Sequence, residues 1–182
     1  MKKAIKLTFT AVLFTLIIHT QANAQIAIPN DLQYSIGVET GNPTGIARLG
    51  SKFTLGGTMR LQYGLSNSWA ATVTSGAYHF FAIKIPGTDK RYDSYGEIPI
   101  KAGFKFFFIP NWYVGFEAGE VLEKTDSGPG PTRLLLSPAL GYAVKHWDFA
   151  LHYENLSSTL PGDHFGIVEL RSAYAFSLLG KK

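Results

Sequence analysis

Charged residues are scarce in this 182-residue chain, and where they fall carries the first information. Asp, Glu, Lys and Arg together make up 16% of it. Beyond the first 24 residues, ten of them share one parity of segments that alternate with period two. The cations are Arg60, Lys101, Lys105, Arg133 and Arg171. The anions are Glu39, Glu117, Asp148, Glu154 and Glu169. His152 has the same parity. In a poorly hydrated interior an unpaired charge is costly, so five facing five predicts an ion-pair network. Glu39 and Arg171 lie in the first and last alternating segments and would pair if those segments are neighbours. The competing chemistry for the same residues is a charged, water-filled pore.

Other chemistries find little support. There is no cysteine, hence no disulfide, thiolate metal site or lipid-anchor thiol. His79, His146 and His164 are scattered and show no ligand spacing, so no metal site and no cofactor are expected. Gly128-Pro129-Gly130-Pro131 reads as a rigid loop tip and not as a phosphate cradle, since no Lys-Ser/Thr and no helix follow. Gly41-Asn42-Pro43-Thr44-Gly45 reads as turn chemistry. Thr88-Asp89-Lys90-Arg91-Tyr92-Asp93-Ser94-Tyr95 mixes charge with tyrosine, as a solvated loop or a recognition surface would. The formal charge of +4 falls to about +1 once Lys2, Lys3 and Lys6 are set aside, which removes the main support for a nucleic-acid partner.

Those three lysines open a secretory signal peptide over residues 1–24. Ala11–Ile18 forms its apolar stretch and Ala22-Asn23-Ala24 its small-x-small cleavage site, with cleavage expected before Gln25. The apolar run is too short for a transmembrane helix, which needs about 20 residues. The mature part, 25–182, reads as one domain of strands near 34–40, 54–65, 69–81, 97–108, 112–122, 132–144, 147–155 and 165–178. Tight turns at Ser66-Asn67-Ser68, Ile109-Pro110-Asn111 and Lys145-His146 alternate with longer loops at 41–53, 82–96, 123–131 and 156–164. Eight strands with alternating short and long connections predict an antiparallel up-and-down transmembrane β-barrel with both chain ends on the periplasmic side.

The strand faces choose between two kinds of barrel. Ile98, Ile100, Phe104, Phe106 and Phe108 oppose Glu97, Lys101, Gly103 and Lys105. Trp112, Val114 and Phe116 oppose Tyr113, Gly115 and Glu117. A soluble barrel that binds an apolar ligand would need a richly charged outer face. Here the polar face is mostly Gly, Ala and Ser, which suits a narrow interior, and the bulky apolar face suits lipid. Trp69, Trp112 and Trp147 each follow a tight turn on the apolar parity, as an aromatic girdle at the periplasmic interface would. Two places fit less well. Pro138 falls inside a strand, where a bulge could absorb it. Tyr78 and Phe80 share the face of Ala70, Thr72 and Thr74, which suggests a bulge or an early exit from the membrane.

The ending Glu169-Leu-Arg-Ser-Ala-Tyr-Ala-Phe176, preceded by His152-Tyr-Glu-Asn and a polar loop, resembles the closing hairpin of small outer-membrane β-barrel proteins common in Bacteroidetes. Their architecture is similar to the OmpA/OmpX-type barrel. The resemblance implies outer-membrane lipid and the barrel-assembly machinery as partners, with Tyr174 and Phe176 as the assembly signal. The tail Leu178–Lys182 extends past the usual end. Some eight-stranded barrels deacylate lipid A with a membrane-facing His-x-Ser-Asn motif. In His152-Tyr153-Glu154-Asn155, Glu154 stands where the nucleophilic serine should be, and Ser157 and Ser158 have the wrong spacing. The expected function is therefore a monomeric, non-catalytic outer-membrane scaffold with a filled lumen, whose loops engage an unidentified surface ligand. A lipid A deacylase-like enzyme and a soluble periplasmic barrel for an apolar ligand are the alternatives.

Overall fold

The computed structural model describes residues 27–125, 128–157 and 164–179. The signal peptide expected over 1–24, its cleavage site, Ser158 and the last three residues of the tail lie outside the described residues. The chain forms β1 (Leu32–Gly45), α1 (Ala47–Gly50), β2 (Ser51–Gly64), β3 (Trp69–Ala82), β4 (Tyr95–Ile109), β5 (Trp112–Thr125), β6 (Gly128–Val144), β7 (Trp147–Leu156) and β8 (Phe165–Ser177). Each strand pairs antiparallel with its sequence neighbours, and β8 pairs with β1 to close the barrel. Closure leaves no sheet edge, which is what a barrel in hydrocarbon requires.

Alternation governs every strand. Ile36, Met59, Val73, Ile100, Phe116, Leu140, Leu151 and Leu170, one from each strand, are exposed on the outer surface. Their neighbours point inward. A continuous outward apolar surface of this kind suits hydrocarbon and not water.

Several strands run further than their local sequence suggests. The segment 41–45 is the end of β1, pairing with β8 as far as Gly45↔Phe165, and only the single turn of α1 separates it from β2. A Cβ at Gly41 would lie 2.6 Å from Glu169 Cγ, so glycine serves close strand packing there and not a turn. Gly128-Pro129-Gly130-Pro131 opens β6 and is no loop tip. Its pairing is with β5 alone, because the β6·β7 ladder begins at Leu135. Prolines are tolerated where no ladder partner needs their missing N–H. Among the described residues the long connection that remains is β3–β4, which itself carries the Lys84↔Arg91 bridge.

No bulge is needed at the two awkward places. The β3·β4 ladder keeps one register from Trp69↔Phe106 to Phe80↔Tyr95, and Tyr78 and Phe80 stay on the interior face. It skips only the pairs around Pro99. Pro138 likewise pairs with Phe116 in β5, and the β6·β7 ladder skips Ser137 and Pro138 without shifting. A skipped pair in one ladder accommodates a proline more simply than an inserted residue.

The interior is filled from end to end. At the turn end, Ala27, Ala70, Phe107, Tyr113, Ala143 and Ala150 form an apolar plug. At the loop end, Ala47, Tyr78, Phe80, Val121, Leu135, Leu156, Phe165 and Ile167 form a second, with Tyr95 stacked on Phe80 at 4.1 Å between ring centroids. Tyr95 therefore belongs to this plug and not to an exposed recognition loop. The charged residues lie between the plugs.

Candidate functional site

The site is built from strand positions that alternation forces inward, and it divides into two layers. The inner layer, toward the turns, contains Arg60, Lys105, Glu117 and Asp148. Glu117 Oε1 accepts hydrogen bonds from Thr72 Oγ1 at 2.8 Å and Thr74 Oγ1 at 2.7 Å, and Oε2 accepts from Arg60 Nη2 at 3.1 Å. Asp148 Oδ1 accepts from the Tyr113 hydroxyl at 2.6 Å, and Oδ2 is bonded to Lys105 Nζ. Lys105 also lies 4.2 Å from the Tyr113 ring centroid. Two cations face two carboxylates, and both carboxylates are fully engaged.

The outer layer differs. Lys101 Nζ is bonded to Glu154, and Arg171 Nε lies 3.1 Å from Glu39 Oε1. That last contact follows from closure, which places Glu39 and Arg171 as direct cross-strand partners. Thr58 Oγ1 donates to Glu39 Oε1 at 2.8 Å and the Tyr78 hydroxyl to Glu39 Oε2 at 2.5 Å. Glu169 accepts one hydrogen bond, from Thr54 Oγ1 at 3.3 Å. Its other oxygen, His152 Nε2 and both oxygens of Glu97 are buried without a hydrogen-bond partner.

Two placements differ from the even balance expected. Arg133 is only half-buried. It pairs with Glu123 at 2.5 Å over the Phe165 ring, at the loop-end rim and apart from the central network. Glu97, which alternation also turns inward, is 1% exposed and joins the lumen charges. Glu97 could have been found from its odd parity in β4. The central lumen thus holds Glu39, Glu97, Glu117, Asp148, Glu154 and Glu169 against Arg60, Lys101, Lys105 and Arg171.

Two functional arrangements merit a geometric test. Ser137 Oγ lies 3.4 Å from His152 Nδ1, and His152 Nε2 lies 3.0 Å from Glu39 Oε2. Residues of these types can run acyl transfer. All three are buried, however, and the cavity beside Ser137 and His152 amounts to about 10 Å³, about one water and far short of an ester. His152 faces the lumen and not lipid, and the Ser157 hydroxyl accepts from Leu134 N. Separately, Glu39, His152, Glu154 and Glu169 each present a ligand atom within 4.8 Å of the others. Sequence spacing could not show this cluster, because its members come from three different strands.

On the outer surface, Trp69, Trp112 and Trp147 open β3, β5 and β7 at the same end. Each faces an aromatic cross-strand partner: Phe106, Tyr142 and Tyr174 respectively. The ring centroids are 4.7, 5.2 and 5.3 Å apart. Tyr174 and Phe176 lie on the outward face of the closing seam, opposite Ile36 and Tyr34.

The fold has solved counterparts. The fold is that of small outer-membrane β-barrels. Ail of Yersinia pestis, solved in a phospholipid bilayer nanodisc, superposes with a TM-score of 0.57 at 16% identity, covering 81% of this chain and 99% of that one. OprG of Pseudomonas aeruginosa gives 0.53 at 9% identity, over 85% and 99%. Neisserial surface protein A gives 0.51 at 18% identity, over 80% and 97%. No family model and no curated protein matches the sequence. At these identities the likeness to outer-membrane barrels is one of fold. Ail has also been solved in complex with the heparin analogue sucrose octasulfate.

Proposed function

We propose that the chain is a non-catalytic outer-membrane barrel whose filled lumen makes it a rigid support for its surface connections. The observation that carries this reading is the combination of an apolar outer surface with a lumen plugged at both ends. Among the described residues, the cavities at Ser137 and His152 and at the turn end are about 10 Å³ each, which supports neither a solute path nor a chamber for an apolar ligand. The three tryptophan pairs would mark the periplasmic interface, with the opposite connections at the cell surface. The protein would act as a monomer, delivered by the barrel-assembly machinery through the Tyr174–Phe176 segment. Around the β1–β2 and β3–β4 connections, exposed Arg48, Lys52, Lys84, Lys90 and Arg91 outnumber Asp89 and Asp93. That excess supports an anionic surface partner, and the sulfated ligand of Ail is a suitable probe.

Three assays test this. Purified barrel in a planar bilayer should give no porin-sized conductance, and sustained open steps would overturn the filled lumen. Beads carrying sulfated saccharide should retain the barrel at low salt and release it as Arg48, Lys90 and Arg91 are exchanged for Gln. Unchanged retention would remove these cations from the interaction. Cells with and without the protein should show the same lipid A acyl pattern by mass spectrometry, and a lost acyl chain would restore the enzyme reading.

A further inference from the structure

We propose that the outer layer of the lumen binds one divalent first-row transition ion through Glu39, His152, Glu154 and Glu169. Their four ligand atoms lie within 4.8 Å of one another. His152 Nε2 is 3.0 Å from Glu39 Oε2, and Glu169 Oε2 is 3.9 Å from the same imidazole at Nδ1. Ligands held at about 2.0–2.2 Å from one ion are at most about 4.4 Å apart, so the cluster need tighten by only a few tenths of an ångström to form one coordination sphere.

Two further observations point to an ion. The first is the pattern of missing partners. Glu169 Oε2 faces this cluster, is deeply buried, and has no hydrogen-bond partner. Groups so placed are costly unless something engages them. The second is charge. Among the described residues, Glu39, Glu97, Glu154 and Glu169 share the outer layer with Lys101 and with Arg171, whose Nη1 also lies 3.9 Å from Asp148 of the inner layer. One divalent cation restores neutrality; an imidazolium alone supplies half of what is missing.

The surroundings suit coordination. Glu154 Oε1 and Glu169 Oε2 lie 3.8 and 3.9 Å from His152 Nδ1 and Glu39 Oε2 lies 3.0 Å from Nε2, so carboxylates flank both edges of the imidazole, and Ser137 Oγ at 3.4 Å from Nδ1 is an outer partner that can fix the ring. Tyr78, Thr58 and Arg171 orient Glu39, and Lys101 orients Glu154. One imidazole among carboxylates disfavours Ca²⁺ and Mg²⁺, and the absence of sulfur ligands disfavours Cu(I). Zn²⁺ and Mn²⁺ fit the donor set. The site would enclose its ion during folding, because the plugs close both ends, and the ion would tie β1, β7 and β8 together across the closing seam.

The full chain should be folded into detergent with Zn²⁺ or Mn²⁺, desalted, and assayed for metal by mass spectrometry. About one ion per folded barrel is expected for at least one of the two metals. Less than about a tenth of an equivalent with both would overturn the site, and would assign the layer to protons instead. Glu169→Gln and His152→Gln should lose the ion while keeping the heat-modified gel shift of a folded barrel. Undiminished metal in those variants would place the ion elsewhere and overturn the assignment. If neither variant folds, X-ray absorption of the wild-type barrel decides. A mixed nitrogen–oxygen shell supports the site, and an oxygen-only shell excludes His152 and the proposal with it.

Discussion

The two layers of the lumen are built from the same residue types and differ in how well they satisfy themselves. In the inner layer, Asp148 and Glu117 each engage donors on both oxygens. The threonines and tyrosine that supply several of these bonds reach across the lumen from strands two away, β3 to β5 and β5 to β7. In the outer layer, four carboxylates share two cations, and buried oxygens of Glu97 and Glu169 have no donor. A saturated network serves as filling. An unsaturated one costs stability unless something else enters it, so the outer layer is where a function beyond filling should be sought.

The comparison can be broken most decisively at Asp148. Asp148→Ala strips Lys105 and Tyr113 of their shared acceptor, and should cost about 3–5 kcal/mol by urea unfolding in detergent. A loss under 1 kcal/mol would show that the inner layer is not a closed network. Next is the strand packing that encloses it. A Cβ at Gly103 would come within 1.9 Å of the Phe116 carbonyl oxygen, so Gly103→Ala must part β4 from β5. About 1–3 kcal/mol is expected, together with slower folding into vesicles.

How far these features could be read beforehand varied with their range. Alternation is local, so Trp112, Val114 and Phe116 against Tyr113 and Glu117 revealed their faces directly. The strand count and closed antiparallel fold followed from that pattern and the three tight turns. What alternation cannot supply is height along the barrel axis. Arg133 has interior parity but sits at the rim with Glu123, and nothing near it in sequence distinguishes it from Lys101. Turn-forming residues misled for a related reason. Gly41–Gly45 and Gly128–Pro131 look like loops until β8 and β5 supply their ladder partners. The meeting of Glu39, His152, Glu154 and Glu169 depends on closing β8 onto β1, a contact between the two ends of the chain.

Smaller effects sharpen the contrast. Trp112→Leu keeps the outer face apolar and removes the edge-to-face contact with Tyr142. It should cost about 0.5–1.5 kcal/mol in lipid and leave the lumen unchanged by tyrosine fluorescence. Glu97→Gln should have the smallest cost of the set. It removes a buried charge that has no hydrogen-bond partner, so stability should stay within about 0.5 kcal/mol of wild type or rise. A loss comparable to that of Asp148→Ala would mean that Glu97 has a partner as strong as those of the inner layer.

All of these contrasts presuppose that the apolar face is turned to lipid and the charges are sealed inside. Fractionation of expressing cells, with each membrane fraction run on a gel with and without boiling, tests that most directly. The protein should be recovered with the outer membrane and change mobility on boiling, as a folded barrel does. Recovery in the soluble periplasm, with one mobility under both conditions, would contradict it.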